Sequence, residues 1–442
     1  MSVWLGIDPW WEYALVPLVV GAILVLMLVV RAIAARFGTG AEVQRKIVHV
    51  AVGLSSLTFP LVFSSPGPVL LLTAAAVAVM LALRHGLLGS MGEVIHGVER
   101  ASHGEIYMAL VVALLFFRSE GAPVLYVLPI LVITLSDTAS ALVGTAYGRL
   151  RFPVEDGHKS VEGVVAFFMV TVIASLCVLL LLSDAGRLNV IVLAFLIAAF
   201  CALVEADSWR GLDNLFVPVG AHLLLARHLD TEPGALLLLA LGFGVAVILA
   251  LRYAGTIGLT RHAARSYVIL LFLILSVTTP LNAVLPIAAV AAHLAVRRLN
   301  PCRSPRPDLD LLAAATGAAL LWLAFGEWLG LVSINLFSAT FAGVACTFAA
   351  LAVTGRADRV PVLLAGGLFL ALVIVVALQV VAANPVHASW YGTVWIPVAL
   401  SIAIGTAVAL AWPAWFARYR SPKAFAVAGA APVAILLTGA FA

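Results

Sequence analysis

Sixteen apolar segments, most of them near twenty residues, follow one another along this chain with only short polar breaks between them. They lie near residues 12–35, 46–64, 67–84, 105–118, 122–146, 161–183, 188–206, 213–229, 234–252, 266–279, 281–297, 309–329, 333–354, 361–383, 391–412 and 423–441. A helix of about twenty such residues crosses a ~30 Å hydrocarbon core. With 64% hydrophobic and only 10% charged residues in 442, no soluble domain of useful size fits between the segments. The expected fold is therefore all-α, a polytopic integral membrane helix bundle of about 16 (14–16) transmembrane helices. The first segment is long and flanked by Asp8 and Glu12 rather than a basic stretch, which reads as a retained span and not a cleaved signal peptide. The four cysteines (177, 201, 302 and 346) show no paired spacing, so neither a zinc site nor a disulfide framework is expected.

Charge tests this division independently. With the N-terminus outside, the loops after odd-numbered segments face the cytoplasm and hold 22 of the 25 Lys and Arg residues, leaving Arg118, Arg187 and Arg227 on the other side. That asymmetry is what the positive-inside rule requires, and it explains the net charge of +4 without any nucleic-acid partner. Joining 266–297 into one helix would make it ~48 Å long and carry the following arginines outside, so two spans separated by Pro280 are expected there. Arginine outnumbers lysine 22 to 3, a bias of genomes rich in G and C that favours a bacterial inner membrane.

One stretch departs from the greasy background: SDTASALVGTAYGRLRFPVEDGHKSVEG, Ser136 to Gly163. Asp137 lies about nine residues, or ~14 Å, inside its segment. An ionisable group at such depth is costly and by default marks a substrate or ion pathway. The plainer alternative is an aspartate buried against a basic partner for helix packing. Asp137, Ser140, Ala141, Gly144 and Gly148 share one helical face, which lets a backbone or ligand approach closely, or simply packs against a neighbouring helix. A polar loop follows and ends in Gly157-His158-Lys159-Ser160, then Glu162. This is not a P-loop, because Phe152 stands where that motif needs its first glycine. It still offers a cation, a hydroxyl and N–H groups to a phosphate at the start of a helix.

Other polar residues gather at the same membrane face: Arg45, Lys46 and His49 at the second segment, Glu105 at the fourth, Glu205 and Asp207 closing the seventh, Asp213 and Asn214 opening the eighth. Metal-assisted phosphoryl transfer needs oxygen ligands for a magnesium ion, cations for phosphate oxygens and a group to position the incoming hydroxyl. The first half supplies each type. From Pro233 onward the spans carry few ionisable residues, chiefly His293 and Glu327, which is a scaffold composition; His293 reads as a helix-end histidine rather than a ligand. The expected organisation is a catalytic membrane domain over 1–232 and an accessory transmembrane domain over 233–442.

Arg45-Lys46-x-x-His49, GEIYMALVVALLFF from Gly104, Asp137-x-x-Ser140-Ala141 with Gly144 and Gly148, Lys159-Ser160-Val161-Glu162-Gly163, then Glu205 and Asp213-Asn214 before Pro218 together resemble the phytol kinase and dolichol kinase family. The resemblance covers about the first 230 residues. It implies transfer of the terminal phosphoryl group of CTP, or another NTP, to the hydroxyl of a prenyl or other lipid alcohol such as phytol, geranylgeraniol or a polyprenol, with Mg2+ as cofactor and the active site facing the cytoplasm. On that reading Asp137, Lys159 and Asp213 are catalytic. Arg45, Lys46, His49, Ser160, Gly144 and Gly148 bind nucleotide or phosphate, and Asp213, Asn214, Glu205 and Glu162 hold the metal. Its partners are the lipid alcohol, the nucleotide and the bilayer. Ser136 stands where many relatives have glycine, and the part beyond Pro233 has no counterpart in a typical member. Two alternatives stay open. A CTP:phosphatidate cytidylyltransferase shares part of the central motif but ends in a glycine-histidine-glycine signature missing here, and a transporter would use Asp137 as an ion or proton site.

Overall fold

The computed structural model describes residues 10–85, 103–119, 121–154, 157–329, 332–355, 359–382 and 395–439. Asp8, Glu155 and Asp156 lie outside these residues, as does the side chain of Glu327. The chain is an all-α polytopic membrane helix bundle, and each of the sixteen apolar segments is mostly helical where described. Among the described residues, ten helices are long and apolar enough to cross a membrane by length and composition, with Ile396–Ala411 as a shorter apolar helix. The remaining apolar segments form helices such as Ala41–Ser56, Gly104–Arg118, Asp213–His228 and Arg261–Val277, which are shorter or more polar. Pro280 does interrupt the chain as expected: the helix Arg261–Val277 ends and a short 3-10 turn at Pro280–Ala283 leads into Val284–Leu299. The polar loop after Tyr147 is more ordered than expected. It folds as an antiparallel ribbon, Arg151–Val154 against Gly157–Ser160, with Phe152 opposite Lys159.

The chain forms two compact units, Met1–Gly244 and Val245–Ala442. In the first, the most enclosed of the helices long enough to span a membrane is Arg187–Asp207, packed against Val161–Leu182 and Asp213–His228. Phe200 on this helix fills the space beside Gly220, where an added Cβ would come within 2.6 Å of its ring. Glu12 is fully buried in the first turn of Trp10–Phe37. Its carboxylate accepts hydrogen bonds from Ser64 N at 3.0 Å and from the hydroxyls of Ser64 and Ser65, pinning that helix to the turn before Pro66–Arg84. Glu12 therefore serves as an internal clamp.

The second unit is wrapped around the helix Val332–Thr354, whose apolar stretch is almost entirely enclosed. The helix Trp395–Ala411 crosses it closely because both carry glycine at the crossing: a Cβ on Gly343 would sit 2.2 Å from Ser401 Oγ, and one on Gly405 2.3 Å from Thr347 Oγ1. His293 is buried, with Nε2 2.9 Å from Asp308 Oδ1, and Asp308 also pairs with Arg297, whose guanidinium reaches Gly258 O. This ties together Val284–Leu299, Pro307–Leu329 and the turn at Gly258.

Candidate active site

The helix Val124–Leu131 does not run straight into Asp137–Tyr147; a π turn, Val132–Ser136, lies between them. A π turn widens the helix and disturbs the regular ladder of backbone bonds, which leaves a carbonyl free to accept elsewhere. Ile133 O is 3.1 Å from His49 Nε2. A carbonyl can only accept, so this contact places the imidazole proton on Nε2. The same nitrogen is 3.6 Å from Asp137 Oδ2.

One turn before His49, Lys46 Nζ reaches Asp137 Oδ2 at 2.5 Å, and both residues are buried. Lys46, His49 and Gly53 form an i, i+3, i+7 stripe on Ala41–Ser56. Gly53 is what allows the approach, because a Cβ there would stand 2.1 Å from Thr134 Oγ1. The basic partner expected under the plainer reading of Asp137 thus exists. Arg45, by contrast, points to Glu42 at 2.7 Å on its own helix, while remaining within electrostatic range of Asp137 and Glu105.

The ribbon delivers the second lysine. Lys159 Nζ donates to Glu205 Oε1 at 2.5 Å and to Glu205 O at 3.0 Å, linking the end of the ribbon to the end of Arg187–Asp207. Ser160 caps Val161–Leu182 by accepting from Gly163 N at 3.1 Å. Glu162, in the first turn, accepts from the backbone N–H of Arg149 and Leu150, each at 3.0 Å, and so fixes the chain where it enters the ribbon. Gly144 and Gly148 provide room for this join. A Cβ on Gly148 would lie 2.3 Å from Gly144 O and 2.8 Å from Ser160 Cβ, and one on Gly144 would lie 3.0 Å from Ser160 Oγ. The small-residue face beyond Asp137 is filled by Ser160 and Gly163, so its glycines seat the ribbon.

The acids close the arrangement. Glu205 is buried and experiences the negative charges of both Asp137 and Asp213. Its Oε2 and the Oδ1 of Asn214 are buried oxygen atoms without a hydrogen-bond partner. Asn214 Nδ2 makes a long contact of 3.4 Å to Gly211 O, which leaves Oδ1 as the free acceptor. An acceptor left unmade in the interior costs about 1–3 kcal/mol, a cost that a bound cation would remove. Asp213, half-buried, begins the same helix as Asn214. Among the described residues no three His, Cys, Asp or Glu side chains are close enough to enclose a metal ion unaided.

The sequence reading did not single out a hydroxyl seam beneath Asp137. Thr171 Oγ1 donates to Ser136 Oγ at 2.9 Å, and the hydroxyls of Thr134 and Ser175 are buried without hydrogen-bond partners. The available signal was Thr171 and Ser175 at i, i+4 within an otherwise apolar helix.

Compared with known proteins, the chain is 38% identical over 193 residues to a phytol kinase of Synechocystis sp., covering 42% of this chain and 78% of the relative. No protein-family model matches it. No solved structure matches it either.

Proposed function

The chain belongs to the phytol kinase family, and from that premise we propose that it moves the terminal phosphoryl group of CTP, or another NTP, to the hydroxyl of a prenyl alcohol. Phytol, geranylgeraniol and a polyprenol are the substrates the reading favours. The observation that carries it is the coincidence of one buried and one part-buried Lys–carboxylate pair with two orphan oxygens. Lys46 with Asp137 and Lys159 with Glu205 lie in one unit with Glu205 Oε2 and Asn214 Oδ1.

Glu205, Asp213 and Asn214 are the residues that would hold magnesium, which when bound neutralises the charge gathering on the phosphate oxygens. Glu162, with its carboxylate committed to two backbone amides, acts on the shape of the phosphate loop and not on the metal. Lys159 waits on Glu205; an arriving triphosphate offers its ammonium a more highly charged acceptor and frees the carboxylate. Asp137 is held in place by Lys46 and His49, and its remaining lone pairs orient the alcohol and accept its proton. The fully buried hydroxyl pair of Thr171 and Ser136 braces the residue just before Asp137. Nucleotide reaches the site from the cytoplasm, in keeping with the loop charges, and the enclosing membrane is a bacterial inner membrane.

Two parallel assays on the purified full chain test the reaction, one with CTP labelled on the terminal phosphate and one with the label on the inner phosphate, each with a panel of prenyl alcohols. Label should reach the lipid only from the terminal position. Transfer only from the inner position would mean a cytidylyltransferase. Transfer from neither, with any donor or alcohol, would move the reading to a transporter.

A further inference from the structure

In the second unit the helix Arg420–Gly439 begins with buried donors that have no acceptor. Arg420 is 2% exposed; its guanidinium donates from Nη2 to Asn300 O at 2.7 Å, while Nε and Nη1 are buried without partners. The next residue repeats the pattern, because Ser421 is buried as deeply and its Oγ also lacks a partner. A guanidinium stays charged wherever it is placed, so burying it with two of its nitrogens idle calls for an anion. Both side chains belong to the first turn of a helix of 20 residues, where free N–H groups and the helix dipole favour negative charge.

The surrounding chain fixes this end and is basic throughout. Residues 300–306 meet residues 412–423 through Arg303 N to Ala417 O and Tyr419 N to Ser304 Oγ, each at 2.7 Å. Tyr419 is held at φ +54°, a value few residues other than glycine adopt. The two segments contain Arg303, Arg306, Arg418, Arg420 and Lys423 and no Asp or Glu. The next acid along the chain, Asp308, is already committed to His293 and Arg297. Trp412, Trp415 and Tyr419 are exposed in the same segment, and Lys423 Nζ donates to Trp415 O at 2.7 Å while standing 5.0 Å from the centre of its ring. Exposed Trp and Tyr gather at the headgroup level of a bilayer, which sets the basic cluster at that level too.

We propose that the start of the helix Arg420–Gly439 is a binding site for the phosphate of an anionic phospholipid headgroup. Arg420 Nε and Nη1 and Ser421 Oγ donate to the phosphate oxygens, and Arg303, Arg418 and Lys423 supply the surrounding positive field. The donors are adjacent in sequence to Arg418 and Tyr419, whose side chains stack at 4.9 Å on the surface and move aside to admit the headgroup. A lipid of net negative charge is preferred to a zwitterionic one, because a choline group would bring another cation among the arginines. Once bound, the lipid bridges the 300–306 and 412–423 segments and stabilises the second unit. The site uses none of the residues placed in the reaction.

The test uses the full chain in a neutral detergent with dioleoylphosphatidylglycerol, dioleoylphosphatidylcholine or inorganic phosphate added. Thermal unfolding and native mass spectrometry of retained lipid are the readouts. Phosphatidylglycerol should raise the melting temperature saturably and stay bound to the chain, whereas phosphatidylcholine and inorganic phosphate should do neither. Arg420→Gln and Ser421→Ala should each shift the phosphatidylglycerol midpoint to about tenfold higher concentration, the effect of losing a hydrogen bond to a charged group. An equal rise with phosphatidylcholine, a full rise with inorganic phosphate, or no response to any of the three overturns the proposal. So does an unchanged midpoint in a folded Arg420→Gln variant. If that variant does not fold, Ser421→Ala decides: an unchanged midpoint overturns the site, and a tenfold weaker one supports it.

Discussion

Lys46 Nζ lies 2.5 Å from Asp137 Oδ2, joining two helices across 91 residues of sequence. Both groups are buried, so neither is a surface anchor. Removing one partner of such a pair commonly costs about 3–5 kcal/mol because the other is stranded. Asp137→Asn keeps the shape and removes the charge, and its turnover should fall ~10²-fold or more. The measurement is initial rate on protein shown by size exclusion and thermal melt to be folded. Near-full activity would leave the pair as a packing device alone.

Lys159 and Glu205 should separate by kinetic signature. Lys159→Ala is expected to raise KM for the nucleotide, because the proposed reaction has its ammonium take up the phosphates. Glu205→Gln and Asp213→Asn should instead shift the magnesium dependence of the rate to higher concentration. Steady-state kinetics at varied nucleotide and varied magnesium distinguish the two. Equal effects of all three on both parameters would argue against separate roles.

Gly148→Ala places a Cβ 2.3 Å from Gly144 O, and neither chain can rotate away from a backbone clash. A loss of about 1–3 kcal/mol is expected, with a weakened nucleotide response because the ribbon carrying Lys159 is displaced. Gly144→Ala meets the Ser160 hydroxyl at 3.0 Å and the backbone only at an ordinary 3.7 Å, and should be milder. Thermal unfolding in detergent orders the two, and the reverse order would count against the seating role.

His293→Gln should keep turnover within a few-fold while lowering the melting temperature. The imidazole is buried against Asp308 and Phe348 in the second unit, where it ties helices together. A loss of several hundred-fold in a folded variant would mean that the chemistry draws on both units.

Single cysteines placed at Arg151 and His158 should react with a membrane-impermeant maleimide only after the membrane is opened, if the ribbon faces the cytoplasm. Labelling from outside in intact cells would overturn both the orientation and the side from which nucleotide enters.

Much of the site's membership was legible because burial in lipid makes charge informative. Asp137, Lys159, Glu205, Asp213 and Asn214 stood out as polar groups at one level of an apolar chain, and Lys46 and His49 as an i, i+3 pair at a helix start. Their partners were not legible. Nothing local in the sequence says that Lys46 turns to Asp137 while Arg45 turns back to Glu42, since adjacent residues on a helix point about 100° apart and tertiary packing decides which face is inward. Glu162 was read as a ligand by its position; what the sequence did not show is that it also accepts from the N–H groups of Arg149 and Leu150, as a carboxylate in a first helical turn can.

The sequence by itself determined the fold class and the places of the helices, since every span must satisfy its own backbone hydrogen bonds and hide its polar side chains from lipid. Tertiary structure alone decided the π turn before Asp137, the ribbon that carries Lys159 to Glu205, and the burial of Arg420 against Asn300 O. Each depends on contacts between segments distant in sequence, and a periodicity of 3.6 residues holds no information about which segment lies opposite.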